Sequence, residues 1–105
     1  MKIQIDDPDL KELIFTGSNN RYSKLARDKK FMAALGRVFR VLEVVENTNG
    51  LKQYSFLHYE QLKGSRSSSI RIMNRRIERL IFEELNNGLT IRLLELNRNH
   101  YGNKK

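Results

Sequence analysis

Ile3 and Ile5 alternate with polar neighbours, the two-residue period of a short strand. Asp7-Pro8 then supplies an N-cap and a proline at the first helical position. Leu10, Leu13 and Ile14 follow at helical spacing, and Gly17 is placed to stop that helix in a left-handed turn. Gly17-Ser18-Asn19-Asn20 reads as a turn. A longer helix is expected from about Asp28 to Glu46. Phe31, Leu35, Val38, Phe39, Leu42 and Val45 recur there at three- and four-residue steps on one face, a stripe read as core. Asn47-Thr48-Asn49-Gly50 ends it.

The period then changes. Ser69–Met73, Ile77–Leu85 and Leu89–Leu96 read as strands, and Asn86-Asn87-Gly88 joins the last two as a hairpin turn tolerant of positive φ. Asn74-Arg75-Arg76 is a weaker turn. The resulting order is β-α-α-β-β-β. It predicts an α+β fold in which two N-terminal helices pack on one face of a small antiparallel sheet, leaving the other face free for a ligand. One domain spans 1–105, with residues 102–105 expected as a mobile tail. Strand parity adds detail. Ile70 and Ile72 share one face, as do Leu80 and Phe82, so Arg71 and Arg79 point to the opposite face. Arg79 could equally serve as a surface partner of Glu83 or Glu95.

Composition narrows the function classes. In 105 residues there are 20 Lys plus Arg and 12 acids, a formal +8, with no Cys. A disulfide framework and a Cys-ligated metal site are excluded. With His58 and His100 alone, a nitrogen-rich metal site is also out of reach, and Asp6, Asp7 and Asp9 read as helix-dipole partners before they read as a magnesium site. No apolar run approaches the ~20 residues of a membrane span. Without a signal-type leader, a cytoplasmic protein is expected. Residues 1–50 carry nine cations and seven acids, residues 51–105 eleven and five. The stretch from Lys63 to Arg79 holds six cations against Glu78 alone, a net +5 in seventeen residues. Such a patch suits a polyanion, through counterion release, and suits an acidic protein equally well. His58 reads as structural or rim, and Tyr22, Tyr54 and Tyr59 as packing groups.

Four short segments carry a resemblance. Tyr59-Glu60-Gln61-Leu62-Lys63-Gly64 looks like the "pEpLKG" box of YoeB-type toxins, and Ser69-Ile70-Arg71-Ile72 resembles their "SRRI" strand. Glu78-Arg79-Leu80-Ile81-Phe82 resembles "hRLVY", and His100-Tyr101 resembles the terminal "HY". The chain thus resembles the RelE/ParE superfamily of type II toxin–antitoxin toxins, in its YoeB/HigB-like branch. The likeness is specific over residues 57–101. Over 1–50 it rests on the strand–helix–helix layout. Three departures stand out. The Arg71–Arg79 spacing is longer than in the compared pattern, Ser68 stands where those toxins have an aromatic, and the N-terminal half is longer.

The resemblance implies a metal-free, cofactor-free endoribonuclease that cuts mRNA on the ribosome by attack of a 2′-OH on the adjacent phosphate. It maps Glu60 to the general base, Arg79 to the phosphate stabiliser, Arg71 to a supporting phosphate contact and Lys63 to a backbone contact. His100 maps to the general acid, with Tyr101 orienting or stacking on the substrate. The longer spacing leaves the second arginine open among Arg75, Arg76 and Arg79, and the Leu80-Ile81-Phe82 register favours Arg79. Physical chemistry ranks these roles. A carboxylate beside two guanidinium groups makes a weaker base, whereas an imidazole among phosphates makes a good acid. The implied partners are a cognate antitoxin, ribosome-bound mRNA, and operator DNA only through the antitoxin, with no membrane. An acidic or amphipathic antitoxin segment would meet the Lys63–Arg79 surface. The alternatives are a non-enzymatic, ParE-like gyrase inhibitor and a decayed toxin that only binds RNA or its antitoxin.

Overall fold

Local capping places the helices where the pattern puts them. In the computed structural model, which describes residues 1–98, strand β1 (Lys2–Ile5) leads into helix α1 (Pro8–Thr16). The Asp7 carboxylate accepts from the N–H groups of Asp9 and Leu10, at 2.9 and 3.4 Å. Gly17 ends the helix at φ 78°, its N–H donating to the Leu13 carbonyl. A short helix α2 (Ser23–Ala26) follows, absent from the expectation because four residues are too few to show a period. Helix α3 (Lys29–Val44) begins at Asp28, whose carboxylate accepts from the Phe31 N–H at 3.1 Å. Two 3₁₀ turns, Thr48–Gln53 and Ser55–Leu57, carry the chain to the remaining strands: β2 (Glu60–Gln61), β3 (Ser67–Arg71), β4 (Arg79–Leu85) and β5 (Thr90–Asn97).

The α+β class stands, with a change in the sheet. It has five strands in the order β1-β5-β4-β3-β2, and it is mixed where an antiparallel sheet was expected. β1 runs parallel to β5, with Ile3 beside Ile91 and Ile5 beside Leu93. Alternation fixes which face a strand buries but not the direction of its neighbour, so the sequence could not reveal this pairing. β2 has two residues and no apolar alternation, so it was invisible for the same reason. The three expected strands occur with shifted ends. β3 starts and stops two residues earlier than Ser69–Met73, and β4 begins only at Arg79.

One cluster forms the core. Leu10 and Leu13 of α1, Phe31, Leu35, Val38 and Leu42 of α3, and Ile70, Leu80, Phe82, Ile91, Leu93 and Leu96 of the sheet are all buried in it. Helices therefore cover one sheet face. Ile81 is buried outside that cluster, on the other face, with Arg79 and Glu83 at its own parity. At the β4–β5 turn, Asn86, Asn87 and Gly88 all take positive φ (52°, 57° and 85°), as the Asn-Asn-Gly sequence predicts. Gly88 is fixed for a second reason: a Cβ there would lie 2.4 Å from the Thr48 hydroxyl.

Candidate functional site on the open sheet face

β3 and β4 pair so that Arg71 stands directly across from Arg79, and β2 pairs with β3 so that Glu60 stands across from Ser69. Two steps of β3 separate those rows, about 7 Å. Arg79 bridges them. Its Nη1 lies 3.6 Å from the Glu60 Oε2 and 3.5 Å from the Ser69 hydroxyl. The Arg79 side chain is 14% exposed and that of Glu60 57%. One end of the ion pair is thus held in the sheet while the other remains open to solvent. Glu60, Arg71 and Arg79 therefore converge on one face, and Ser69, fully buried beneath them, joins the set. The sequence offered Ser69 only as the first residue of the Ser69-Ile70-Arg71-Ile72 segment and through its parity with Arg71, with no role attached.

The pairing of Arg79 with Glu60 answers the alternative left open earlier. Glu83 is taken by Arg92, which also lies 3.4 Å from Asp6. Lys63 is not in the convergent group. It is exposed in the turn of residues 62–66, attached to the far end of β3 at Ser67, four residues from Arg71. Arg75 is exposed at φ 66° in the turn after β3 and makes no ion pair among the described residues. Arg76 is turned toward α3. Its guanidinium contacts Asp28 at 3.1 Å and Glu78 at 3.0 Å and lies over the Phe31 ring. Arg76 thus ties the β3–β4 connection to the start of α3, and neither contact leads to Arg79. His100, Tyr101 and the 102–105 tail lie outside the described residues. Asn97, three positions before His100, is the cross-strand neighbour of Arg79.

A second polar cluster lies on the inward face of the sheet. Glu84 shares parity with Leu80 and Phe82, so its carboxylate points to the core side at the sheet's margin. Three hydroxyls donate to it: Thr48 at 2.9 Å, Ser68 at 2.8 Å, and Tyr59 through a short hydrogen bond. Burial alone would raise this carboxyl, but the bonds from Tyr59, Ser68 and Thr48 outweigh it and hold it below the usual carboxylate range. Burial, followed by the Glu84 bond and charge, pushes the Tyr59 phenol up to about 12. Tyr59 also stacks on Phe82, with ring centroids 6.2 Å apart. Tyr59 immediately precedes Glu60, so this cluster anchors the root of β2 and sets where Glu60 begins. Ser68 takes its place here as a hydroxyl donor. A glutamate at an inward strand parity was the one sequence signal for the cluster.

No group of three or more His, Asp or Glu able to hold a metal ion occurs among the described residues. None of their helices is long and apolar enough to cross a membrane. No protein-family model matches the chain, and neither a curated protein nor a solved structure is significantly similar to it.

Proposed function

We propose that the protein is the toxin of a type II toxin–antitoxin system, a ribosome-dependent endoribonuclease that works in the cytoplasm and is neutralised by a cognate antitoxin. The observation that carries this reading is the convergence of Glu60, Arg71 and Arg79 on the open sheet face. Those are three of the residues that the toxin-like motifs single out, and they come from three different strands.

The chemistry requires three groups. A base removes the proton from the 2′-OH, a cation meets the charge that grows on the phosphoryl oxygens, and an acid protonates the departing 5′-oxygen. The O2′–P bond forms as the P–O5′ bond breaks, leaving a 2′,3′-cyclic phosphate and a 5′-hydroxyl. Arg79 and Arg71 present two guanidinium groups to one phosphate. In the resting protein Arg79 holds Glu60. An ion pair with so exposed a partner is worth at most about 1 kcal/mol, so an incoming phosphate can take over Arg79 and release the carboxylate to act as base. Ser69 fixes the guanidinium during that exchange. His100 is the acid and Tyr101 the orienting ring. Lys63 and Arg75 extend the contact along the RNA backbone, at opposite ends of β3. Operator DNA is met only through the antitoxin, whose acidic or amphipathic segment covers the sheet face.

The test is mRNA cleavage on translating ribosomes by the wild-type protein and by Glu60→Gln, Arg79→Ala and His100→Ala. New mRNA ends that depend on all three residues support the reading. A DNA-damage response without new mRNA ends would replace it with gyrase inhibition.

A further inference from the structure

A second run of cations without ion pairs among the described residues lies away from the sheet. Between Lys24 and Arg40 there are six cations, Lys24, Arg27, Lys29, Lys30, Arg37 and Arg40, against Asp28 alone. Six minus one is +5 in seventeen residues, the same charge and length as Lys63–Arg79. Asp28 is occupied by the Phe31 N–H and by Arg76. None of the six cations has an ion-pair partner among the described residues, and all are exposed.

Helical geometry groups them. With Phe31, Ala34, Leu35, Val38 and Leu42 buried, the outer stripe of α3 carries Lys29, Ala33, Gly36, Arg37 and Arg40, with Lys30 at its margin. From Lys29 to Arg40 the stripe is about 16 Å long. Two features of it oppose the stability of the helix itself. Lys29 and Lys30 open α3, where the N-terminal dipole favours acids, and its first turn has none. Gly36 sits in the helix interior, where alanine is better, although a Cβ there would meet nothing within 4 Å. Nothing among the described residues requires either choice.

A partner outside the chain accounts for both. Small residues at the middle of the stripe let a surface approach the helix backbone, and the flanking cations meet a line of negative charge. The outer stripe exposes one apolar residue, Val44 at its C-terminal end, and no aromatic anchor of the kind a protein interface is built around. A phosphodiester backbone needs none.

We propose that the outer face of α2 and α3 docks on the backbone of double-helical RNA, as a surface separate from the open sheet face. The choice of RNA rests on reading the sheet face as an RNA-cleaving site. The phosphate chemistry does not depend on that reading.

The test is fluorescence-anisotropy binding of the full chain to a short blunt RNA duplex, the same-sequence DNA duplex and a polyglutamate peptide, across a KCl series. Duplex cleavage is not required, so failure here leaves the ribosomal cleavage assay free to succeed or fail independently. The RNA duplex should bind tightest. Arg37→Glu/Arg40→Glu should weaken it by at least about tenfold and lower the salt slope by about 2, since each lost phosphate contact removes about 0.9. Lys29→Gln/Lys30→Gln should weaken binding while raising the melting midpoint, opposite signs that a purely structural role would not produce. Gly36→Tyr should weaken binding without unfolding the chain. Unchanged RNA affinity in these variants overturns the proposal. So does DNA binding as tight as RNA, or a preference for polyglutamate, which would make the face a protein-docking surface.

Discussion

Of the six cations in residues 63–79, two, Arg76 and Arg79, are held by carboxylates, whereas none of the six along α2 and α3 is so held among the described residues. Residues 63–79 and 24–40 carry equal net charge in equal lengths, and a count cannot separate them. Partners do. Arg79 is bonded to Glu60 and Ser69, and Arg76 to Asp28 and Glu78, so these guanidinium groups have fixed positions. The cations of residues 24–40 have no such restraint. Fixed charges suit chemistry, which needs a cation at one place on one phosphate. Unrestrained charges suit binding, which needs only neutralisation along a backbone.

The comparison breaks most visibly at Arg79. Arg79→Ala is expected to lower ribosomal mRNA cleavage by about 100-fold or more, the usual scale for losing a charge-stabilising donor. Its melting midpoint should change little. Arg40→Ala, measured in the same assay under single-turnover conditions at saturating ribosome concentration, should leave the cleavage step unchanged.

Next in size is Gly88→Ala. A positive φ and a Cβ 2.4 Å from the Thr48 hydroxyl both oppose it. Strain of about 1–3 kcal/mol is expected, together with loosening of the Thr48–Glu84 bond. Chemical denaturation reads the first, and the hydrogen-exchange rate of the Thr48 and Glu84 amides reads the second.

Arg75 and Arg76 are neighbours whose surroundings differ, and they sharpen the contrast within the sheet side itself. Arg76→Ala leaves Glu78, 10% exposed, without its guanidinium, and should lower the melting midpoint by about 4 °C or more. Arg75→Ala should leave the midpoint within about 2 °C, as for other surface positions, and reduce RNA affinity.

The smallest effects are in pH. The Glu84 carboxyl is lowered in the folded state, so its contribution to stability is complete above the unfolded value and disappears as pH falls through the folded one. Tyr59 is raised to about 12, so the folded state keeps the phenol neutral and loses stability as pH rises from about 10 to about 12. Glu84→Gln should shrink the acid-side loss in a denaturation series, and Tyr59→Phe the alkaline-side loss, with the lowered Asp28 and the raised Tyr22 accounting for part of what is left.

Much of this was legible in the sequence, for reasons that differ by element. The caps at Asp7 and Gly17, the stripe of α3 and the Asn86-Asn87-Gly88 turn are local signals, and each occurs as read. Strand parity also placed Arg71 and Arg79 on one face, where they are cross-strand neighbours. Long-range pairing was not legible. Nothing near Ile3 specifies a parallel strand beside Ile91, and nothing near Glu60 specifies Ser69 as its neighbour. The basic run of α2 and α3 was hidden by averaging. Asp6, Asp7, Asp9 and Glu12 precede it and Glu43 and Glu46 follow it, so the first half appeared nearly neutral. A seventeen-residue window would have found it.

Whether the open sheet face cuts RNA is decided by the chemistry of the mRNA ends on translating ribosomes exposed to the wild-type protein and to Arg79→Ala. The account predicts 2′,3′-cyclic phosphate and 5′-hydroxyl ends with the wild type, and their loss with the variant. Equal ends from both proteins, or none from the wild type, would contradict it.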